Sequence, residues 1–85
     1  MAYTIEFAPS AEREFRKLAR EVQLRVRPRI DSLAYEPRPA GAKKLRGQED
    51  LWRIRAGDYR IVYEVRDRIL VVLVVRVAHR REVYR

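Results

Sequence analysis

The sequence contains no cysteine and a single histidine, His79. Without cysteine the chain can form neither a disulfide framework nor a thiolate metal site, and one histidine does not make a histidine-rich metal centre. We therefore expect neither a metal nor a cofactor. The longest apolar run, residues 69–75, is far shorter than the roughly 20 residues of a membrane-spanning helix, and no secretory signal precedes it. These absences predict a cytoplasmic protein that has no membrane partner.

Acidic residues are scarce relative to basic ones. The 85 residues include 20 Lys and Arg against 12 Asp and Glu, a formal net charge of +8. The excess is uneven, because residues 43–85 hold twelve basic and six acidic side chains, whereas residues 1–42 hold eight and six. A positive field of this kind favours an anionic partner such as nucleic acid. The length predicts one domain over residues 1–85.

Alternation and helical spacing predict an α+β fold. Tyr3, Ile5 and Phe7 alternate with polar residues, as in a half-buried strand. Two stretches with apolar residues at spacings of three and four follow, over residues 11–19 and 22–34, and predict a helix hairpin. Pro28 inside the second stretch predicts a kink or a late start. Prolines and glycines punctuate the following residues 36–50, which are predicted to form a loop.

Three strands are predicted after this loop. Residues 51–55 and 59–66 alternate between apolar and polar side chains around a tight turn, which is typical of a hairpin. Residues 69–77 are apolar on both faces and are predicted to form the central strand. The order is therefore β-α-α-β-β-β, with an antiparallel sheet, the first strand beside the last, and the helix hairpin packed on one face.

Basic side chains concentrate on this sheet. Arg53 and Arg55 are two residues apart on one strand and share a face. Arg60 follows across the hairpin turn, and Arg80 and Arg81 leave the end of the central strand. Like charges at such distances are unfavourable unless an anion lies between them, so we predict a phosphate-binding site. The alternative is that these arginines cover the sheet or pair with acidic neighbours.

Two further groups could belong to such a site. At the C-terminal end, His79 and Tyr84 lie close in sequence to the arginines, and imidazole and phenol groups stack on bases or transfer protons. A structural role for either residue is the alternative, since a lone histidine at a strand end is commonly a hydrogen-bonding group. In the predicted loop, Lys43, Lys44 and Arg46 form a basic patch that we expect to attract RNA.

Four segments together resemble the RelE family of bacterial toxins, the ribosome-dependent messenger-RNA endonucleases of toxin–antitoxin pairs. They are residues 3–11 (YTIEFAPSA), 43–47 (KKLRG), 51–63 (LWRIRAGDYRIVY) and 77–84 (VAHRREVY). The resemblance implies a microbial-RNase-like domain that enters the ribosomal A site. There it would cut messenger RNA by attack of the substrate's own 2′-hydroxyl on the adjacent phosphate. It also implies a cognate antitoxin that covers the basic surface with an acidic segment.

The resemblance also implies residue roles. By position, Arg60 matches a family arginine that stabilises the phosphate, and Arg80 matches the arginine assigned to the leaving group. Tyr84 matches a tyrosine that contacts and orients the nucleotide. Lys43, Lys44, Arg46 and Arg81 are expected to assist RNA binding.

Arg53 and Arg55 depart from the family pattern, because well-studied members carry two lysines at these positions. Arginine does not give up its proton in a protein, whereas lysine can. We therefore expect the two arginines to act as an electrostatic clamp. His79 is then the candidate proton carrier, because histidine titrates near neutral pH. The alternative acceptor is ribosomal RNA or water.

Two other functions remain open at this point. A protein of the ParE type shares the fold and inhibits DNA gyrase by binding, without cutting RNA. The arginine cluster and the Arg80 to Tyr84 ending favour the RelE type, because a gyrase binder does not need them. The exchange of lysine for arginine leaves a third alternative, a catalytically degenerate homologue that only binds RNA and antitoxin.

Overall fold

The computed structural model describes residues 2–47 and 50–83, with Glu82 and Val83 described by their backbone alone. The regular elements are β1 (Thr4–Phe7), α1 (Pro9–Lys17), α2 (Arg20–Ser32), β2 (Lys43–Lys44), β3 (Leu51–Ala56), β4 (Tyr59–Arg66), β5 (Val71–His79) and α3 (Arg80–Val83). The strands form one sheet in the order β1-β5-β4-β3-β2. Across the described ranges, every helix is too short or too polar to cross a membrane.

The predicted α+β architecture is confirmed. Strands β3, β4 and β5 form the expected antiparallel meander, and β1 lies beside β5. The sheet is mostly antiparallel, as predicted, and the exception is β1, which runs parallel to β5, from Thr4 opposite Val71 to Phe7 opposite Val74. Both long helices and strands β2 to β4 lie between β1 and β5 in the sequence. This connection is long enough for β5 to run in the same direction as β1.

Three predicted boundaries need correction. The predicted loop contains β2, whose two lysines pair with β3, and backbone pairing of two polar residues leaves no periodic signal. The last strand begins at Val71, because Asp67–Ile69 forms a 3-10 turn and Leu70 adopts the left-handed conformation with φ 55°. Helix α2 begins at Arg20, so Pro28 lies inside it without delaying its start.

The hydrophobic core lies between the helices and one face of the sheet. Helix residues Val26 and Ile30 are fully buried, and so are the alternating residues Ile61 and Tyr63 of β4. The burial of this helix face offsets the backbone hydrogen bond that Pro28 cannot make. Two residues join α1 to α2, and the side-chain amide of Gln23 donates to the carbonyl oxygens of Phe15 and Leu18, each at 3.1 Å. The α1–α2 hairpin therefore covers one face of the sheet, and the other face is left for a binding site.

One edge of β5 is closed by a side chain rather than by a strand. Strand β1 accompanies β5 only as far as Val74, and helix α1 continues beyond that point. The carboxylate of Glu14 accepts the backbone N–H of Val77 at 2.9 Å and pairs with Arg76 Nε at 3.3 Å. A backbone group that would otherwise lack a partner along this stretch is thereby satisfied.

We expect Glu14→Ala to lower the free energy of unfolding by about 1–2 kcal/mol. A hydrogen bond to a charged group contributes about 1.5–3 kcal/mol, and the partial exposure of Glu14 reduces that value. Urea titration measures the change. Glu12→Ala is the matched control, since Glu12 lies on the same helix and makes only an exposed ion pair with Arg16, whose loss costs at most about 0.5 kcal/mol. Equal losses in the two variants would show that the bond to Val77 contributes nothing.

Candidate nucleic-acid cleft

The strand register brings four predicted basic residues together on the sheet face opposite the helices. Arg55 lies directly across from Arg60 on β4, and Lys43 of β2 lies directly across from Arg53. Since side chains alternate along a strand, Arg53, Arg55 and Arg60 share this face, whereas Ile54 and its neighbours in the core share the other. The two cross-strand pairs are two residues apart along β3, which corresponds to about 7 Å.

A cleft of about 260 Å³ opens beside these side chains, and we term it the basic cleft. The described residues that line it are Gly41, Lys43, Arg53, Ile54, Arg55 and Arg60. Typical small-molecule pockets begin at about 300 Å³, so the basic cleft matches a small group such as a phosphate with its flanking sugar. Gly41, which has φ 91°, was missed by the sequence analysis, because a loop glycine does not reveal which strand it will approach.

The charges of the basic cleft are of one sign. Within residues 2–47 and 50–83, no described carboxylate forms an ion pair with Lys43, Arg53 or Arg55. Arg60 is held more firmly than its neighbours, because it is only 5% exposed and β4 has strands on both sides. Arginine offers five donors in a rigid plane that fits phosphate oxygens. The arrangement can therefore bind a phosphate and stabilise extra negative charge on it.

Arg80 is the first residue of α3 and lies at the end of the sheet that carries the β3–β4 turn. Its backbone N–H donates to Asp58 O at 2.8 Å, one step beyond the pair of Tyr59 with His79. Ala78, two residues before Arg80, lies directly across from Arg60, whereas Arg80 is not among the described residues that line the basic cleft. Arg81 follows in α3 and is exposed.

His79 is not brought into the basic cleft. It pairs with Tyr59, and the two rings meet edge to face at 5.4 Å. Because Tyr59 and Arg60 are adjacent on β4, their side chains lie on opposite faces of the sheet. His79 Nδ1 accepts the backbone N–H of Arg81 at 3.3 Å, so His79 caps the first turn of α3.

We expect His79→Ala to accelerate amide hydrogen exchange at Arg81, because the acceptor for that N–H is lost. Loss of a helix cap costs about 0.5–2 kcal/mol, which corresponds to a several-fold change or more. His79→Asn should preserve slow exchange, because asparagine is a good cap. If both variants instead lose RNA cleavage by about 10²-fold while Arg81 exchanges at the wild-type rate, His79 carries a proton and the capping role is secondary.

The remaining predicted residues are placed apart from the basic cleft. Lys44 pairs with Trp52, and its side chain is on the side of the sheet opposite Lys43. Arg46 is exposed in the turn after β2. Tyr84 lies outside the described residues, and its nucleotide-contacting role stays a prediction. Across the described part of the chain, no group of three or more His, Asp or Glu side chains could hold a metal ion.

A second polar cluster, which the sequence analysis missed, lies at the start of the segment that leads into the basic cleft. Arg38 donates to both carboxylate oxygens of Asp67, at 2.7 and 3.3 Å, and lies 5.5 Å from the centre of the Trp52 ring. Tyr3 donates its hydroxyl to the same carboxylate at 2.6 Å. The bond from Arg38, followed by that from Tyr3, holds the pKa of Asp67 below its ordinary value. The sequence analysis could not find this cluster, because Tyr3 and Arg38 lie 64 and 29 residues from Asp67 in the sequence.

Comparison with known proteins identifies the class of this fold. The family described as the ParE toxin of the type II toxin–antitoxin system parDE has a model that matches residues 5–84. The messenger-RNA interferase toxin RelE of Escherichia coli K12 is 39% identical over 88 residues, covering 99% of this chain and 92% of that protein. Both matches span nearly the whole chain, and both are to toxins of toxin–antitoxin systems.

Solved structures agree with this class. A chain of the toxin–antitoxin complex RelBE2 from Mycobacterium tuberculosis matches with a TM-score of 0.81 at 30% identity, covering 93% of this chain and 99% of that one. A chain of the intact Escherichia coli RelBE complex matches with a TM-score of 0.80 at 36% identity, covering 92% and 96%. The chain belongs to the RelE family of toxins, and the resemblance inferred from the sequence is confirmed.

Proposed function

We propose that this protein is the toxin of a type II toxin–antitoxin pair and cleaves messenger RNA in the ribosomal A site. The observation that carries the proposal is the basic cleft, where four cations of one sheet face line a space of about 260 Å³, enough for a phosphate with its flanking sugar. The name of the full-length relative, an mRNA interferase, supports the same activity. We further propose that residues 1–85 act as one toxin domain in the cytoplasm.

The proposed reaction is attack by the 2′-hydroxyl of the substrate on the adjacent phosphate. The O2′–P bond forms while the P–O5′ bond breaks. The 2′-hydroxyl gives up its proton to ribosomal RNA or water, and the departing 5′-oxygen takes up a proton from water. Arg60, with Arg53 and Arg55, stabilises the charge that develops on the phosphorane oxygens. Arg80 neutralises the leaving oxygen at the same end of the sheet. Tyr84 contacts and orients the nucleotide, as the family pattern implies.

The described residues of the basic cleft do not supply a proton acceptor for the 2′-hydroxyl. The described lining of the basic cleft includes neither a carboxylate nor an imidazole, and His79 lies on the other face of the sheet. Arginine stays protonated in proteins. We therefore propose that the proton of the 2′-hydroxyl passes to ribosomal RNA or to water ordered there, which makes cleavage depend on the ribosome.

We also propose that a cognate antitoxin neutralises this toxin. The similar toxin chains were solved within toxin–antitoxin complexes, and the net charge of +8 fits an acidic antitoxin segment. Such a segment would compete with RNA for the basic cleft. Lys44, Arg46 and Arg81 would add to the positive field that attracts both RNA and antitoxin.

The test compares purified toxin on programmed ribosomes with toxin on the same messenger RNA alone. We expect cleavage within the A-site codon on ribosomes and none on naked RNA at the same dose. Mapping of transcript ends after induction in cells checks the same result on translated messages. Rapid cutting of naked RNA would contradict the ribosome requirement. Inhibition of gyrase supercoiling without RNA cleavage would instead favour a ParE-type activity, and binding without either effect would indicate a degenerate toxin.

A further inference from the structure

We propose that Arg38 is a positioning residue for the basic cleft: its ion pair with Asp67 holds residues 37–43 so that Lys43 stands beside Arg53. The inference rests on the proposed function, because it gives Lys43 a role in binding the RNA phosphate. It assigns no contact with RNA to Arg38 itself. Arg38 lies against Trp52, whose side chain is on the sheet face opposite that of Arg53.

The start of this segment is fixed from two directions. Arg38 makes its two-pronged ion pair with Asp67 on the turn between β4 and β5. One residue earlier, Pro37 O accepts the hydroxyl of Tyr63 at 2.7 Å. Tyr63 is fully buried in the core, and burial raises the pKa of its hydroxyl to about 12. This donor therefore stays protonated at any physiological pH.

The end of the segment is held by the pairing of β2 with β3, by the Leu45 N–H, which donates to Leu51 O at 2.9 Å, and by Ala42, which packs partly buried against the core. Strand β2 has only two residues, and it contacts the rest of the sheet along one edge. Such a short ladder is marginal in stability without support from elsewhere. Between its two ends the segment contains Gly41, whose φ of 91° marks a backbone with little steric restraint. The position of Lys43 in the basic cleft therefore depends on the two anchors at the start of the segment, and Arg38 is the one that reaches residues outside the core.

The anchor is suited to this task because it combines three kinds of contact. The ion pair is bidentate, which fixes the plane of the guanidinium group, and its cation lies within the about 6 Å range of attraction to an aromatic ring. Tyr3, the residue before β1, donates to the same carboxylate. Because the pKa of Asp67 is lowered by these partners, the pair is present at neutral pH. It is lost only as the pH falls through that lowered value.

The first experiment measures amide hydrogen exchange of the free toxin. Ala42 N–H donates to Pro39 O at 3.0 Å and reports order in the segment. We expect Arg38→Ala to accelerate exchange at Ala42 by tenfold or more, about the effect of 1.4 kcal/mol of lost local stability. The emission of Trp52, the only tryptophan, should change in parallel. Unchanged exchange at Ala42 would overturn the proposal without reference to RNA cleavage.

Arg27→Ala is the matched control. Arg27 also forms an ion pair, with Asp31 at 2.9 Å, and also lies over an aromatic ring, that of Phe7 at 5.3 Å. It belongs to α2 and has no link to residues 37–43. We expect this variant to keep wild-type exchange at Ala42. Acceleration by both variants would mean that any lost arginine contact loosens the segment, and the specific role of Arg38 would be rejected.

The second experiment is a double-mutant cycle on single-turnover cleavage by ribosome-bound toxin. Misplacement of a binding group by about 1 Å can cost up to 10²-fold, so we expect about tenfold from Arg38→Ala and a similar loss from Lys43→Ala. If Arg38 acts through Lys43, the double variant loses no more than the more damaged single variant. Losses that multiply would show two independent effects and overturn the proposal. Arg38→Lys should recover part of the rate, because it keeps the charge without the fork.

Failure of this inference and failure of the proposed function give different results. A wild-type protein that does not cleave RNA on ribosomes contradicts the proposed function. The exchange experiment still decides in that case whether Arg38 holds the segment. A wild-type protein that cleaves, with Arg38→Ala cleaving at the same rate, contradicts only the positioning role.

Discussion

Replacing Arg60 by alanine is expected to reduce single-turnover cleavage on ribosomes by about 10²–10³-fold, the loss found when one preorganised donor to a developing oxyanion is removed. The reason lies in how Arg60 is held. It is nearly buried between two strands and lies directly across from Arg55. In the proposed mechanism its guanidinium would therefore contact the phosphate without reorganising during the reaction. Growth after induction should show the same loss as reduced toxicity.

Arg60→Lys is the informative companion variant. It keeps the positive charge and loses the planar fork, so its rate should lie between those of Arg60→Ala and wild type. The sequence alone predicts that substitution of Arg60 leaves stability unchanged, as for a surface arginine. Its burial corrects that expectation to a loss of about 0.5–3 kcal/mol. Thermal unfolding must therefore accompany the rates, and a folded Arg60→Ala variant with wild-type cleavage would exclude Arg60 from the site.

Arg80→Ala is expected to lower the same single-turnover rate by about 10²-fold or more, the size of one lost electrostatic contact to developing negative charge. Arg80 begins α3 directly after β5, and its backbone N–H donates to Asp58 O, in the turn that precedes β4 and Arg60. Arg81→Ala is the matched control, since Arg81 is also exposed and also lies in α3. We expect the control to change cleavage by only a few-fold, through the weaker electrostatic attraction of RNA.

Both substitutions should leave the free energy of unfolding within about 0.5 kcal/mol of wild type, as is usual for exposed positions. Equal losses in Arg80→Ala and Arg81→Ala would indicate a general effect of charge on ribosome binding. Measurement of ribosome affinity separates that outcome from a loss in the chemical step. Wild-type cleavage by Arg80→Ala would exclude a role at the leaving oxygen.

The sequence predicts much of this fold because its strongest patterns are local. Apolar and polar residues alternate through the β3–β4 hairpin, and the same alternation places Arg53 and Arg55 on one face of their strand. The face of each arginine follows from periodicity alone. The residue that each arginine faces on the neighbouring strand does not follow from periodicity, because register depends on the turn and on packing against the helices. The pairing of Arg55 with Arg60 is therefore a tertiary feature that periodicity does not encode.

Other features depend on contacts that no short segment encodes. The register of β4 with β5 places His79 across from Tyr59, on the sheet face away from the basic cleft, although His79 directly precedes Arg80 in the sequence. Arg38 stands between two prolines, and nothing in that setting indicates a bond to Asp67, 29 residues further along the chain. Two adjacent lysines likewise give no periodic signal for β2. These features depend on tertiary packing, which overrides local preference.

The bond between Glu14 and Val77 has a consequence for how copies of this protein behave towards one another. Beyond Val74, β5 would otherwise present backbone donors and acceptors along an open edge, and such edges template pairing with a second chain. The carboxylate of Glu14, which accepts the Val77 N–H and pairs with Arg76, occupies the position that an incoming strand would need. The same contact that joins helix to sheet thus removes a place where a second copy could pair with β5.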